Sequence, residues 1–231
     1  MLVLLPPSEG KATPVSGPPV DLGALVFADD LAPVRALLLA AVDPALAHAP
    51  AAPAAEVYTG VLFARLGLGD LTPAARRRAA ESVLIASGLW GLLRPDDRIP
   101  AYKLPIGTKL AGIGGLGALW RPAVTAALAE RDVDSELFVD CRSGPYATVW
   151  RPRRAARVEV RAFRVAADGS RSVISHMAKA SRGDVARALL TTRRSVRRPR
   201  DVAAAVAAAG VEAELAPAGP GAWTLDVLEQ G

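Results

Sequence analysis

The stretch from residue 156 to residue 175, ARVEVRAFRVAADGSRSVIS, decides the fold class. Ala156–Val165 and Arg171–Ser175 read as β-strands, and Asp168-Gly169 between them is a pair that reverses the chain tightly. Strands joined by so short a turn must be antiparallel. Upstream of them, short apolar strands interleave with helices, an order that builds parallel sheets. Together the two patterns predict an α/β protein with a mixed β-sheet flanked by helices. The chain has 231 residues, 51% of them hydrophobic, so residues 1–231 are expected to form a single domain with a sizeable core. Aromatic residues make up only 5%, so that core is expected to consist mainly of Ala, Val and Leu.

Working outward, Leu2–Leu5 reads as a short buried strand stopped by Pro6-Pro7, after which Ser8-Glu9-Gly10-Lys11 forms a polar loop. Leu31–Val42 and Pro73–Ser82 read as helices, the second capped by Thr72 with proline at its first position. Val83–Ala86 is a second buried strand that runs into Ser87-Gly88. Residues 89–120 are dense in Gly and Pro, and a loop of this length with Leu and Trp in it is expected to be ordered and functional. Pro122–Arg131 reads as a helix, Glu136–Val139 as a third strand and Tyr146–Trp150 as a further one. Gly183–Thr191 and Val202–Ala209 read as helices, and Trp223–Leu228 as the last strand.

Cys141 is the only cysteine, so no intrachain disulfide forms. The apolar run at the N-terminus is too short for a signal segment or a membrane span, and the sequence holds no asparagine for N-glycosylation. A cytoplasmic protein that does not touch membranes is expected, as a monomer. His48, His176 and Cys141 are too widely spaced for a metal signature, so neither a metal nor another cofactor is predicted.

Charge is unevenly placed. Residues 1–140 carry 12 Lys and Arg against 15 Asp and Glu, while residues 141–231 carry 16 against 8. The basic second part fits contact with the phosphates of nucleic acid or of a small ligand, and it equally fits a solvated Arg-rich surface. Of the 28 basic residues 24 are Arg; Lys11, Lys103, Lys109 and Lys179 are the exceptions. Where composition favours Arg for any generic cation, a retained Lys points to a need for its compact, titratable amine.

Three strand ends open into polar or glycine-bearing loops: Ser8–Lys11, Ser87-Gly88 and Cys141–Gly144. In open α/β sheets ligands bind beyond the carboxyl ends of the strands, so these loops are expected to converge. Ser8-Glu9-Gly10-Lys11 fits the S-x-x-K nucleophile pattern, but Pro6-Pro7 and Gly10 disfavour the helix that pattern needs. A loop presenting Glu9 and Lys11 to a ligand suits it better. Gly112-Ile113-Gly114-Gly115-Leu116-Gly117 matches G-x-G-x-x-G without the strand and the acidic residue that a dinucleotide site requires. The same glycines fit the hairpin of a helix-hairpin-helix or a flexible loop. Arg193-Arg194, Arg197-Arg198 and Arg200 form a tract suited to a phosphate backbone or to a solvated connector. Cys141 reads as a buried packing residue, with Arg142 beside it favouring thiolate should it be reactive.

Taken together, Pro7-Ser8-Glu9-Gly10-Lys11, Tyr58-Thr59-Gly60, the block from Ser87 to Pro95 (SGLWGLLRP), the block from Pro100 to Gly107 (PAYKLPIG) and Lys179-Ala180-Ser181-Arg182-Gly183 resemble the YaaA family of peroxide-stress proteins, in a divergent branch. The resemblance runs to about residue 190. It implies one α/β domain, protection against hydroperoxide, limitation of free intracellular iron, and DNA binding through a basic cleft. On this basis Ser8, Lys11, Tyr58, Ser87, Gly88, Arg94, Lys103, Lys179 and Arg182 are the expected residues for binding DNA or another anion. The rival reading is an enzyme acting on a nucleotide or other anionic metabolite, possessing the same pocket, with Lys11, Glu9, Lys103 and Tyr102 as acid–base groups. In either case the cations should gather within roughly 10 Å, about one Debye length, balanced by an anion or by Glu9 or Asp96.

Overall fold

A computed structural model describes residues 1–166, 168, 170–173 and 178–230. Among these, eight strands form one sheet: β1 (Leu2–Leu5), β2 (Val83–Ser87), β3 (Gly91–Leu93), β4 (Leu137–Asp140), β5 (Ala156–Val165), β6 (Arg171–Val173), β7 (Ala213–Gly219) and β8 (Ala222–Gln230). Their spatial order is β7-β8-β5-β4-β1-β2-β3. From β8 to β2 every pairing is parallel, whereas β7 with β8 and β2 with β3 are antiparallel. The expected hairpin is present: β6 pairs antiparallel with β5 through Phe163–Val165, on the edge that β4 leaves after Glu159. Ile174, Ser175, His176 and the turn residue Gly169 lie outside the described residues. The sheet is mixed and flanked by helices, a single α/β domain.

The central strands are apolar throughout because both faces are covered; every residue of β1 is buried. Strand β5 instead alternates, with Val158, Val160 and Ala162 inward and Arg161 outward. There Arg161 meets Asp226 directly across on β8, at 2.6 Å, a cross-strand charge pair that helps to hold register.

Six helices of six or more residues complete the described chain: α1 (Ala28–Val42), α2 (Val61–Leu66), α3 (Pro73–Ser82), α4 (Leu116–Ala127), α5 (Ala178–Thr191) and α6 (Pro199–Ala208). Thr72 caps α3 as expected, its Oγ1 accepting from the Ala75 N–H. Helix α1 packs on α4, while α2, α3 and α6 surround α5. No helix among the described residues is long and apolar enough to cross a membrane.

Several elements depart from expectation. Tyr146–Trp150 is not a strand. Gly144-Pro145 opens one helical turn, Gly144–Ala147, because the N–H groups of Tyr146 and Ala147 bond back to the Ser143 carbonyl. Helix α4 begins at Leu116 rather than Pro122, since Lys109–Leu110 pairs with Gly114–Gly115 and the Leu116 N–H is bonded to the Thr108 carbonyl. Pro122 then sits inside the helix. No helix precedes the 112–117 glycines, so they do not form a helix-hairpin-helix. Helix α5 starts five residues early, which makes Lys179 and Arg182 helical. Strand β7, whose Pro217 and Gly219 read as loop, is an exposed edge strand with a bulge between them.

One buried charge fastens α1 to the sheet. Arg35 has no solvent exposure. Its Nε donates to the Trp90 carbonyl at 3.0 Å, and its Nη2 to those of Val26 and Leu92 at 2.9 and 2.8 Å. Burial lowers its pKa to about 10, opposed by the charge of Asp97. Arg35→Met would leave three carbonyls without their donor, and it is expected to cost about 3 kcal/mol. Urea unfolding at neutral pH reads this as a lower midpoint. Arg35→Lys should fail to restore it, because a single ammonium does not span three carbonyls fixed by separate segments.

Candidate functional site

Strands β4, β1 and β2 are parallel neighbours, so the loops after them converge at one sheet edge. There a cleft of about 820 Å³ opens. Its floor and rims come from Pro6–Lys11 after β1, Thr59–Phe63 at the start of α2, Tyr102–Pro105, Ser143 and Tyr146 after β4, and Lys179 and Arg182 on α5.

The loop after β1 is held by local bonds rather than by a helix. Ser8 Oγ donates to the Gly10 carbonyl and accepts from the Thr59 N–H. The Ala12 N–H bonds to the Val57 carbonyl, and Lys11 bridges to Tyr58 as an isolated β-pair. Gly60 completes the contact at φ 103, a conformation that favours glycine. Lys11 Nζ donates to the Ser8 carbonyl at 3.0 Å, not to Ser8 Oγ. That geometry gives Ser8 no base and disfavours the S-x-x-K nucleophile.

Under the cleft lies a chain of hydroxyls. Ser87 Oγ accepts from the N–H groups of Leu89 and Trp90 at 3.2 and 2.9 Å. Both of its lone pairs are used, so its own proton goes to the Tyr102 hydroxyl at 2.6 Å. Tyr102 is joined in turn to the Tyr58 hydroxyl at 2.8 Å. Burial raises the pKa of both phenols, so they stay protonated. Over this pair sits Lys11, its Nζ 4.4 Å from the Tyr102 ring centre and 5.6 Å from that of Tyr58, within cation–π range. Burial lowers the Lys11 pKa, and the charge of Glu9 partly opposes that shift. Across the mouth, Glu9 pairs with Lys179 at 3.0 Å.

Lys11, Lys103, Lys179 and Arg182 therefore line one cleft together with Ser8, Glu9 and Tyr102. Tyr58 and Ser87 lie beneath it. Gly88 is a packing residue: a Cβ there would fall 2.0 Å from the Leu104 carbonyl oxygen. Arg94 is not among the lining residues; its guanidinium bonds to the Ala80 carbonyl on α3. Asp96 is likewise absent from the lining, which leaves Glu9 as the local carboxylate. The Arg193–Arg200 tract joins α5 to α6, at the far end of α5 from Lys179, roughly 20 Å away at 1.5 Å per residue. Sequence reasoning had not assigned Thr59, Phe63, Ser143 or Tyr146 to the site. The loop after β4 and the Tyr58-Thr59-Gly60 segment were the available signals. Among the described residues no group of three or more His, Cys, Asp or Glu is placed to hold a metal ion.

The third strand end is fixed by a buried ion pair. Asp140 accepts from Arg142 Nε and Nη2, both at 2.8 Å, and Arg142 also reaches the Trp150 carbonyl. Arg157 stands 3.7 Å from Asp140. Cys141, between the pair, is fully buried and continues the ladder to the Leu4 carbonyl. Burial pushes its thiol up to about 12, against the charge of Arg182, so the packing role fits it.

These features define an α/β protein with a cation-lined cleft at the carboxyl edge of a mixed sheet. Residues 22–209 match the family described as Peroxide stress protein YaaA, and the chain belongs to that family. A UPF0246 protein of Streptomyces coelicolor is 40% identical, with 99% of this chain and 98% of the relative covered. Another from Corynebacterium efficiens is 37% identical over 93% of this chain and 95% of its own length. A third, from Corynebacterium glutamicum, is 33% identical over 94% and 96%.

The buried pair makes stability depend on pH. Burial alone would raise the Asp140 pKa, but the bonds and charge of Arg142 and the charge of Arg157 outweigh it, and the net shift is downward. A carboxyl with a depressed folded pKa contributes its full stability above its unfolded pKa, about 4, and loses it as pH falls through the folded value. Asp140→Asn strands the Arg142 charge and is expected to cost about 3 kcal/mol at pH 7. Urea unfolding of wild type and variant should converge as the pH is taken below 4; a gap that stays constant with pH would remove Asp140 as its source.

Proposed function

We propose that this protein serves the peroxide-stress role of its family through a cleft that binds an anionic metabolite or nucleotide. The observation that carries the reading is the gathering of Lys11, Lys103, Lys179 and Arg182 around a cavity of about 820 Å³ with Glu9 as its carboxylate. That volume suits a small molecule, which typically takes a site of about 300–1,000 Å³, better than a duplex groove. Like charges so grouped repel unless an anion joins them. If the bound molecule is transformed, Lys11, Tyr102, Lys103 and Glu9 are the acid–base groups in reach.

Two finer expectations come with the family resemblance, DNA binding and limitation of free intracellular iron. One observation favours DNA contact: Arg193, Arg194, Arg197, Arg198 and Arg200 are all exposed on the α5–α6 connection. Asp201 is spent there on capping α6, its carboxylate accepting from the N–H groups of Arg197 and Arg198.

In cells lacking the gene, plasmid-borne wild type should restore survival of hydroperoxide, whereas Lys11→Ala and Lys103→Ala should leave sensitivity close to that of the deletion. Free iron in the same strains, read by electron paramagnetic resonance of the chelated pool, should rise with the same variants if the cleft governs it. Thermal unfolding should place both variants within about 1 kcal/mol of wild type, as expected for partly or fully exposed side chains. Full protection by both variants would sink the cleft as the working site. For DNA, the logarithm of affinity should fall with the logarithm of salt by about 0.9 per phosphate contacted. Replacing Arg193, Arg194, Arg197 and Arg198 by Ala should flatten that slope by about three units; an unchanged slope would take the tract off the DNA surface.

A further inference from the structure

Glu9 is the sole acidic side chain lining the cleft, against four cations. It takes Lys179 at 3.0 Å although its own side chain is 90% exposed and that of Lys179 is 47% exposed. An exposed pair between two long side chains is held weakly. An incoming acid therefore competes with Glu9 for Lys179 at little cost, and Glu9 marks where such a group would sit.

Beside that position the cleft presents uncovered apolar surface. Val61 is 42% exposed, and Pro105 is exposed as well. Val61 opens α2, which passes α5 so closely that a Cβ on Gly183 would fall 2.5 Å from the Leu62 carbonyl oxygen. The Val61 side chain thus stands next to the turn of α5 that carries Lys179 and Arg182. Pro6, Pro7 and Leu104 add further apolar lining. Cationic and apolar surfaces are contiguous within one cavity, an arrangement that recognises a molecule with two unlike ends.

We propose that the ligand is an acid-tailed molecule with an apolar ring body, the class to which nucleoside monophosphates belong, whose acidic group displaces Glu9 from Lys179 while its body lies against Val61. This rests on the anion-cleft reading above and adds the second half of the ligand, together with the role of Glu9 as its internal stand-in.

Isothermal titration of the full chain with AMP, adenosine and inorganic phosphate separates the parts. AMP should bind at least about tenfold more tightly than either fragment. Glu9→Gln, which removes the internal competitor, should tighten AMP and phosphate about threefold, the scale of an exposed ion pair, and leave adenosine unchanged. Val61→Ser should weaken AMP and adenosine and spare phosphate. Phosphate binding as tightly as AMP, or binding where AMP does not, would overturn the two-ended ligand and leave the anion cleft standing. Weaker AMP binding in Glu9→Gln would overturn the stand-in. Failure of all three probes to bind wild type and Glu9→Gln alike would overturn the anion cleft and this proposal together.

Discussion

The arrangement at the cleft depends on the Ser87 hydroxyl. It accepts two backbone N–H groups in the turn between β2 and β3, and its single proton is thereby committed to Tyr102. Tyr102 lies in the segment that ends against Gly88, and only a residue without Cβ lets the Leu104 carbonyl approach there. The same turn is gripped from the other side by Arg35, through the carbonyls of Trp90 and Leu92. Trp120 closes it by donating Nε1–H to the Gly88 carbonyl at 2.8 Å. A strand end, a helix and a long loop are thus tied at one point, and the tie fixes where Tyr102 presents its ring to Lys11.

This geometry places a charge over an apolar but electron-rich floor. Lys11 is partly desolvated by the Tyr58 and Tyr102 rings, which attract a cation through their faces without neutralising it. Its charge is balanced only at a distance, by Glu9, which is itself bound to Lys179. Removing an anion from such a site costs more than removing it from open solvent, because the remaining cations repel through a medium of lower dielectric. Rigid support below and a loosely held carboxylate above are what a site that exchanges anions requires.

Much of the fold was legible because it is written in local patterns. The all-apolar LVLL of β1 signalled a strand covered on both faces, and the Asp168 turn signalled the one hairpin that breaks parallel order. What escaped was set by tertiary contact. Pro122 reads as a helix start, yet the bond from the Leu116 N–H to the Thr108 carbonyl starts α4 earlier. Pro217 reads as loop, yet an edge strand tolerates it because one of its sides pairs with nothing. The block SGLWGLLRP resembled a family signature that no local rule demanded. Each part has a cause visible only in space: Ser87 as acceptor of two N–H groups, Gly88 against Leu104, Gly91 at φ 72 under Trp120, and Arg94 on the Ala80 carbonyl. Conspicuous residues therefore divide into those that form the cleft and those that hold it, and sequence alone did not separate Arg94 from Lys103.

Amino-acid bias gave a sharper pointer than any motif. In a chain with 24 Arg and four Lys, three of the four lysines line one cavity, drawn from the loop after β1, the segment before Pro105 and the first turn of α5. Physical differences between the two side chains account for the retention. A guanidinium is planar and spends several donors in fixed directions, as Arg35 and Arg142 do where they clamp backbone carbonyls and a carboxylate. An ammonium is a compact charge that can rest on an aromatic face, give one proton to the Ser8 carbonyl and keep others for a ligand. Its pKa also moves with burial, as that of Lys11 does. Arginine thus builds the frame of this protein, and lysine is kept where a mobile, titratable charge faces the cleft.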